Sequence, residues 1–402
     1  MSEVTPLDEA QALVWATCPK PSPIDVDRRA ALGLVLAADV VAGEVVPPFD
    51  NSAVDGYAVR AVDLVDAPTE LVVVDEIAAG AAAGRPVGAG EAIRIMTGAP
   101  LPPGATAVAM VEDSTMVGPD RVRLARVVTE GVAVRRAGDD VGIGDVLFRA
   151  GTVVRPAVAG VLASVNAATV SVYPRVMVAV LSTGDELVDD GSPLQAGQIR
   201  ESNRTMLAAM LEEAGCDVLD LGIVRDDEEA LETVLRDAAA RCDAIVTSGG
   251  VSMGDYDVVK AVLGRIADMH WMQVAIKPAK PFAFGTIERT PIFGLPGNPV
   301  SSMVSFEMIA RPALRSMMGH PSPLRTQLVG VTDVDLRRQV DGKTHLLRVN
   351  GAFEDDGRYH VRPVGAQGSH QLAATATADA IAVLPDGPGV VAGADVDVVL
   401  LG

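Results

Sequence analysis

From Pro174 to about Gly319, short apolar runs alternate with helical segments, and this alternation restricts the fold more than any other feature of the chain. VMVAVLS reads as a buried strand. SNRTMLAAMLEEAG follows as a helix with Ser202 or Asn203 as cap, Met206, Leu207, Met210 and Leu211 inward, and Gly215 as its stop. DVLDLGIV is the next strand, and DDEEALETVLRDAAAR a helix opened by Asp226 or Asp227. AIVTS and the helix DYDVVKAVLGRI come next, then QVAI, FAFGTI and PIFGL ahead of a long helix from Pro299. Strands and helices of these lengths predict a mainly parallel sheet covered on both faces, with ligands at the carboxyl ends of its strands.

The flanks read differently. Ala10, Leu13, Val14 and then Ala30, Ala31, Leu34, Val35 recur at helical spacing. Beyond VVPPFDNSAVDGYAV the chain breaks into short apolar runs punctuated by Gly and Pro, and the same pattern returns after about residue 322. The expected architecture is multidomain α/β plus β. Residues 1–45 and 147–174 form a discontinuous extended domain, 46–146 an inserted β-rich domain, 175–321 the α/β domain and 322–402 a C-terminal β-barrel.

Composition narrows the function. With 33 basic against 53 acidic residues and a net charge of -20, the chain is a poor match for a nucleic-acid partner. Cys18, Cys216 and Cys242 form no disulfide framework, and the five histidines show no zinc spacing. The apolar stretch from Ala157 to Tyr173 is too short and too polar to span a membrane, and MSEVTPLDEA has no signal core. The expected location is cytoplasmic.

Four polar turns fall at strand ends of the predicted sheet: STGDEL, the RDD of Arg225 to Asp227, TSGGVSMGDYD, and GLPGNPVSS. Each alone is ordinary turn chemistry, but doubly wound sheets place their sites on that edge. None has the spacing of a Walker A or dinucleotide loop, which disfavours a P-loop kinase and a Rossmann dehydrogenase. Successive amides after Ser248 suit a phosphate, with Asp255 and Asp257 as helix-opening acids. Lys277 and Lys280 in IKPAKP, stiffened by Pro278 and Pro281, form a candidate anion site. In the β-rich half, Asp50, Asn51, Ser52 and Asp55, then Thr97, then Arg135, Arg136, Asp139 and Asp140 occupy turns. Such aspartates usually cap local amides, and oxygen donors of this kind also suit Mg²⁺.

Together these residues resemble the molybdopterin molybdotransferase family, of the MoeA type, which includes the E domain of gephyrin. PPFDNSAVDGYAVR, RIMTGAPLP, STGDEL, the RDD turn, TSGGVSMGDYD, KPAKPFAFG and GLPGNPVSS occur in family order. The resemblance implies a transferase that inserts molybdenum from molybdate into adenylylated molybdopterin, assisted by Mg²⁺, with release of AMP. It also implies a homodimer of four-domain subunits whose site lies between the α/β domain of one and the β domains of the other. A molybdopterin adenylyltransferase and recipient molybdoenzymes are the implied partners.

By motif, the resemblance gives catalytic roles to Asp55, Asp257, Asp226, Glu186, Asp140, Thr97, Lys277 and Lys280, with Asp55, Asp226 and Asp257 on the metal. It gives Ser248, Gly249, Gly250, Ser252, Pro296, Gly297, Asn298 and Pro299 to the nucleotide and pterin, with Arg348 and Ser369 from the barrel. Two positions depart from the pattern: Gln273 stands where many members carry lysine, and Ala279 replaces the glycine of PGKP. The competing readings are a molybdopterin adenylyltransferase, which shares the GGxS turn, and a non-enzymatic dimeric scaffold that binds peptides.

Overall fold

The computed structural model describes residues 4–250 and 258–402. Its central sheet runs in the order Asp217–Val224, Met177–Thr183, Ala244–Ser248, Thr290–Leu295, Pro281–Ile287, Asp268–Gln273. The first four strands are parallel, Pro281–Ile287 runs antiparallel to them, and Asp268–Gln273 pairs antiparallel with Pro281–Ile287. Side chains alternate across the sheet as strand geometry requires. Val178 and Val180 join Leu207, Leu211, Phe293 and Val304 on one face, while Ala179 and Leu181 join Leu231, Leu235, Val259 and Val262 on the other. Burial on both faces explains why the strand is continuously apolar.

Two sequence expectations are corrected. QVAI is not a strand of this sheet: the edge strand is Asp268–Gln273, and Ile276–Lys277 pairs instead with Thr344 and His345. The edge strand DMHWMQ is largely exposed, so it carries little apolar signal. The second helix expected around Ala30 to Val35 does not form, because Gly33 turns the chain at φ +82° and Val35–Leu36 is a strand. Among the described residues before residue 45, only Leu7–Thr17 is helical. The helix from Pro299 runs to Met317 through a π turn at Phe306–Ala310. Pro312, which has no N–H to offer the preceding turn, accounts for the loosened winding there.

Strand Ile24–Asp27 pairs with Thr169–Tyr173, and Val40–Val41 with Val146–Phe148, so the chain leaves and re-enters this region around the β-rich segment. Within that segment a six-stranded sheet contains Gly56–Val59 between Ala107–Met110 and Glu91–Ile95. A Cβ on Gly56 would lie 2.0 Å from the carbonyl oxygen of Ala109, so only glycine fits the VDGYA turn. At the C-terminus five strands close into a barrel: Thr344–Phe353, Tyr359–Pro363, Gln327–Thr332, Asp395–Leu400 and Ala380–Leu384.

Candidate functional site

The strand Ala244–Ser248 ends in two glycines that adopt φ +97° and +72°. A Cβ on Gly249 would sit 3.3 Å from the carbonyl oxygen of Thr183, and its amide donates to the carbonyl of Leu295 at 3.1 Å. Beside it lies the turn Pro296-Gly297-Asn298-Pro299, with Pro299 opening the helix Pro299–Ser305. One side chain ties the two turns together: the amide of Asn203 donates to Ser248 Oγ at 2.8 Å and to the Gly297 carbonyl at 2.7 Å. Asn203 is therefore no simple cap, and Ser202, at the N-cap, makes no capping bond with its side chain. Glu201 is a further residue that the sequence did not single out. Its carboxylate, 1% exposed, accepts from Ser182 Oγ at 2.9 Å and from the Arg204 amide at 2.7 Å. Ser252, Asp255 and Asp257 lie outside the described residues.

At the neighbouring strand ends, the Asp226 amide approaches Asp185 Oδ1 at 3.4 Å. Asp227 is the residue that caps its helix, accepting from the Ala230 amide at 2.7 Å. Glu186 folds back over Gly184, where a Cβ would meet its Oε2 at 2.5 Å.

The KPAKP turn faces the barrel across a cavity of about 820 Å³, whose lining includes Lys277, Lys280, Ser301, His345, Arg348 and Ser369. The Ser369 carbonyl accepts the Val300 amide at 3.0 Å, which joins this cavity to the helix that opens at Pro299. Arg348 is 1% exposed and donates to the carbonyls of Leu346 and Gln367 at 3.0 and 2.6 Å. It has no carboxylate partner among the described residues, its Nε has no hydrogen bond, and burial pulls its pKa down to about 10. Lys277 and Lys280 are exposed and form no ion pair among the described residues. The opposite wall is compensated: Asp341 bridges Arg338, Lys343 and His345 at 3.0 to 3.1 Å. Burial would raise the Asp341 carboxyl, but Lys343 and His345 outweigh it and bring it to about 2. Ala279, in the turn itself, holds φ +77°.

A second polar patch is assembled in the β-rich segment. Asp55 Oδ1 accepts from both the amide and the hydroxyl of Thr97 at 2.7 Å, and these bonds hold its carboxyl below the ordinary value. Asp50 accepts from the Ala137 amide at 2.8 Å and from Arg136 at 2.7 Å, and Asp139 from the Arg136 amide at 2.6 Å. Asp140, next in that turn, is exposed and donates its amide to the Val46 carbonyl. No hydrogen bond, ion pair or strand pairing among the described residues joins this patch to the edge of the α/β sheet. The grouping of three metal-ligand side chains found among the described residues is Asp333, Glu354 and His360 in the barrel, and it includes neither Asp55 nor Asp226.

Comparison with known proteins identifies the family. Family models match along most of the chain: the MoeA N-terminal region (domain I and II) at residues 5–166, the "Probable molybdopterin binding domain" at 179–316, and the MoeA C-terminal region (domain IV) at 337–401. Molybdopterin molybdenumtransferase 2 of Mycobacterium tuberculosis is 42% identical over 374 residues, covering 90% of this chain and 91% of the relative. Molybdopterin molybdenumtransferase of Haemophilus influenzae is 37% identical over 380 residues, 94% of each chain. The crystal structure of the molybdopterin biosynthesis MoeA protein from Pyrococcus horikoshii superposes with a TM-score of 0.83 at 29% identity, over 99% of this chain and 100% of that one. The glycine turns, the KPAKP cavity and the Asp55 patch thus sit within a chain that belongs to the MoeA family.

Proposed function

We propose that the chain is a molybdopterin molybdenumtransferase that inserts molybdenum from molybdate into adenylylated molybdopterin and releases AMP in molybdenum cofactor biosynthesis. The observation that carries this reading is the cavity between the KPAKP turn and the barrel, where Lys277, Lys280 and the buried Arg348 lack carboxylate partners among the described residues. Such cations suit a small oxyanion, and the forked guanidinium adds directional donors. The adjoining Ser248-Gly249-Gly250 and Pro296 to Pro299 turns offer backbone for the phosphates and the pterin.

The substrate brings its own two thiols, so the protein needs no cysteine in the reaction. Insertion forms two Mo–S bonds, and the two thiol protons leave with one molybdate oxygen as water. Release of AMP breaks the phosphoanhydride with uptake of a water. Lys277, Lys280 and Arg348 hold molybdate beside the dithiolene, which makes the transfer effectively intramolecular. Thr97 positions Asp55, while Glu186 and Asp140 complete the polar lining. The oxygen donors of Asp55, Asp226 and Asp257 fit Mg²⁺, and Asp55 Oδ2 has no hydrogen-bond partner among the described residues. When bound, Mg²⁺ neutralises pyrophosphate charge and polarises the phosphorus.

The reading includes a cytoplasmic homodimer in which the Asp55 patch of one chain meets the α/β edge of the other, and the domain division at 45, 146, 174 and 321. The matches at both 5–166 and 337–401 speak against an adenylyltransferase, and relatives named as molybdenumtransferases at 34–42% identity favour the transferase over a peptide scaffold. The test is turnover of purified chain with adenylylated molybdopterin, Mg²⁺ and molybdate, with molybdate-dependent AMP release expected. ATP consumption with molybdopterin, and no AMP release, would replace this reading with the adenylyltransferase.

A further inference from the structure

A second cationic cleft, about 510 Å³, opens between the helix Arg311–Met317 and the segment 322–327, away from the KPAKP cavity and sharing no lining residue with it. Arg311, Arg315 and Arg325 line it. Their charges are unevenly matched. Glu307, 4% exposed, is committed to Arg325, accepting from it at 2.9 and 3.0 Å, and Arg325 donates a further bond to Glu213 at 2.8 Å. Arg311, 7% exposed, comes no closer than 3.8 Å to Glu307 and donates to the Pro323 carbonyl at 3.2 Å. Arg315 donates to the Ala214 carbonyl at 3.1 Å and lies 3.2 Å from His320 Nδ1. The Nε atoms of both Arg311 and Arg315 are buried with no hydrogen-bond partner among the described residues.

Electrostatics follow from this layout. Burial, reinforced by the neighbouring Arg325, pulls Arg311 down to about 10 and lowers Arg315 as well. Burial and the same guanidiniums bring His320 to about 4, so at neutral pH its ring is uncharged and accepts from Arg315. Among the described residues the three guanidiniums therefore have two side-chain carboxylate partners, Glu307 and Glu213, and Glu213 is more than half exposed at 56%. A buried charge without a hydrogen-bonded counter-charge is costly, and an orphaned buried donor adds to that cost. An incoming oxyanion would relieve both at once, and forked guanidiniums match its geometry.

We propose that this cleft binds a tetrahedral oxyanion of the phosphate class, clamped by Arg311 and Arg315. The site is independent of the transferase reading. The experiment is calorimetric titration of the full chain with inorganic phosphate and, in a second arm, with glycerol phosphate. A saturable event is expected in the wild type and in Lys277→Gln, which alters only the other cavity. It should weaken at least tenfold in Arg315→Gln and in Ser322→Glu, which places a carboxylate on the exposed rim without touching the packed interior. Tighter binding of inorganic phosphate assigns the free ion as the source, and tighter binding of glycerol phosphate assigns an ester; both support the site. Absence of saturable binding in the wild type, or binding that Lys277→Gln abolishes and Ser322→Glu leaves intact, overturns it. If Arg315→Gln does not fold, the Ser322→Glu result decides.

Discussion

Thr97 donates twice to one oxygen of Asp55, from its amide and from its hydroxyl, both at 2.7 Å. The carboxylate is thereby fixed in direction and held below the ordinary aspartate value, chiefly by the Thr97 amide and then by its hydroxyl. A lowered carboxyl is ionised above its unfolded value, about 3.9, so Asp55 should put no inflection in a pH–rate profile above about pH 5. Asp55→Ala should cut molybdate-dependent AMP release by roughly a hundredfold or more. Thr97→Val, which keeps the amide, should lose roughly tenfold. Circular dichroism should show both variants folded; full turnover in Asp55→Ala would remove it from the site.

Asn203 spans two turns with one amide, and its replacement separates geometry from fold. Asn203→Asp withdraws both donated bonds and sets a carboxylate against the Gly297 carbonyl. The loss should be about 1–3 kcal/mol, as for orphaned buried polar groups. It should appear mainly as a raised KM for the adenylylated substrate, and an unchanged KM would mean that the two turns do not need to be held together.

Ala279 occupies a conformation in which a Cβ is unfavourable by about 1–2 kcal/mol. The residue is 3% exposed, and burying its methyl contributes about 0.8 kcal/mol. The two nearly offset, so Ala279→Gly should be neutral or stabilising by less than about 1 kcal/mol, and Ala279→Val clearly destabilising. Melting temperatures compare the three chains. A marked drop for glycine would show that the methyl packs more tightly than its backbone strain suggests.

His360 stands between Asp333 at 2.6 Å and Asp356 at 3.1 Å, and these bonds raise its pKa. A raised histidine stabilises fully below its unfolded value, about 6.5, and the effect is lost as pH rises through the folded value. Asp333 and Asp356 are lowered, so their contribution is lost as pH falls below the ordinary aspartate range. Melting temperature should therefore decline above neutrality in the wild type, and His360→Asn should flatten that decline. Parallel curves for the two chains would exclude the histidine as its source.

If the Asp55 patch of one chain works with the Lys277 cavity of the other, a heterodimer of Asp55→Ala and Lys277→Ala chains contains one intact site and one doubly altered site. Co-expression with two purification tags should recover a substantial part of the activity that each homodimer lacks. No recovery would place both residues in a site built within a single chain.

Much of the fold was legible because both faces of the central sheet are buried, which leaves uninterrupted apolar strands between amphipathic helices. What escaped lay where sequence neighbours do not determine contacts. Glu201 meets Ser182 across 19 positions, and Asn203 looks like a cap because it stands at a helix start. Arg348 is suggested only by resemblance, because its burial comes from outside its own strand: on the face it shares with Leu346, away from the barrel core of Leu347 and Val349, it is covered to 1% exposure beside Gln367. Gly33 stopped a helix that apolar spacing alone allowed.

The pairing of Ile276 with Thr344 and of Lys277 with His345 makes the KPAKP turn a sixth member of the barrel sheet. On its other side, Val274 bridges Thr5 near the start of the chain. The two walls of the anion cavity are thus stitched by one main-chain ladder and cannot swing apart without unzipping it. The gap works as a gauge of set width. If the cavity takes molybdate as proposed, the anion enters and leaves by its mouth, and discrimination rests on size and charge density with the two walls held at fixed spacing.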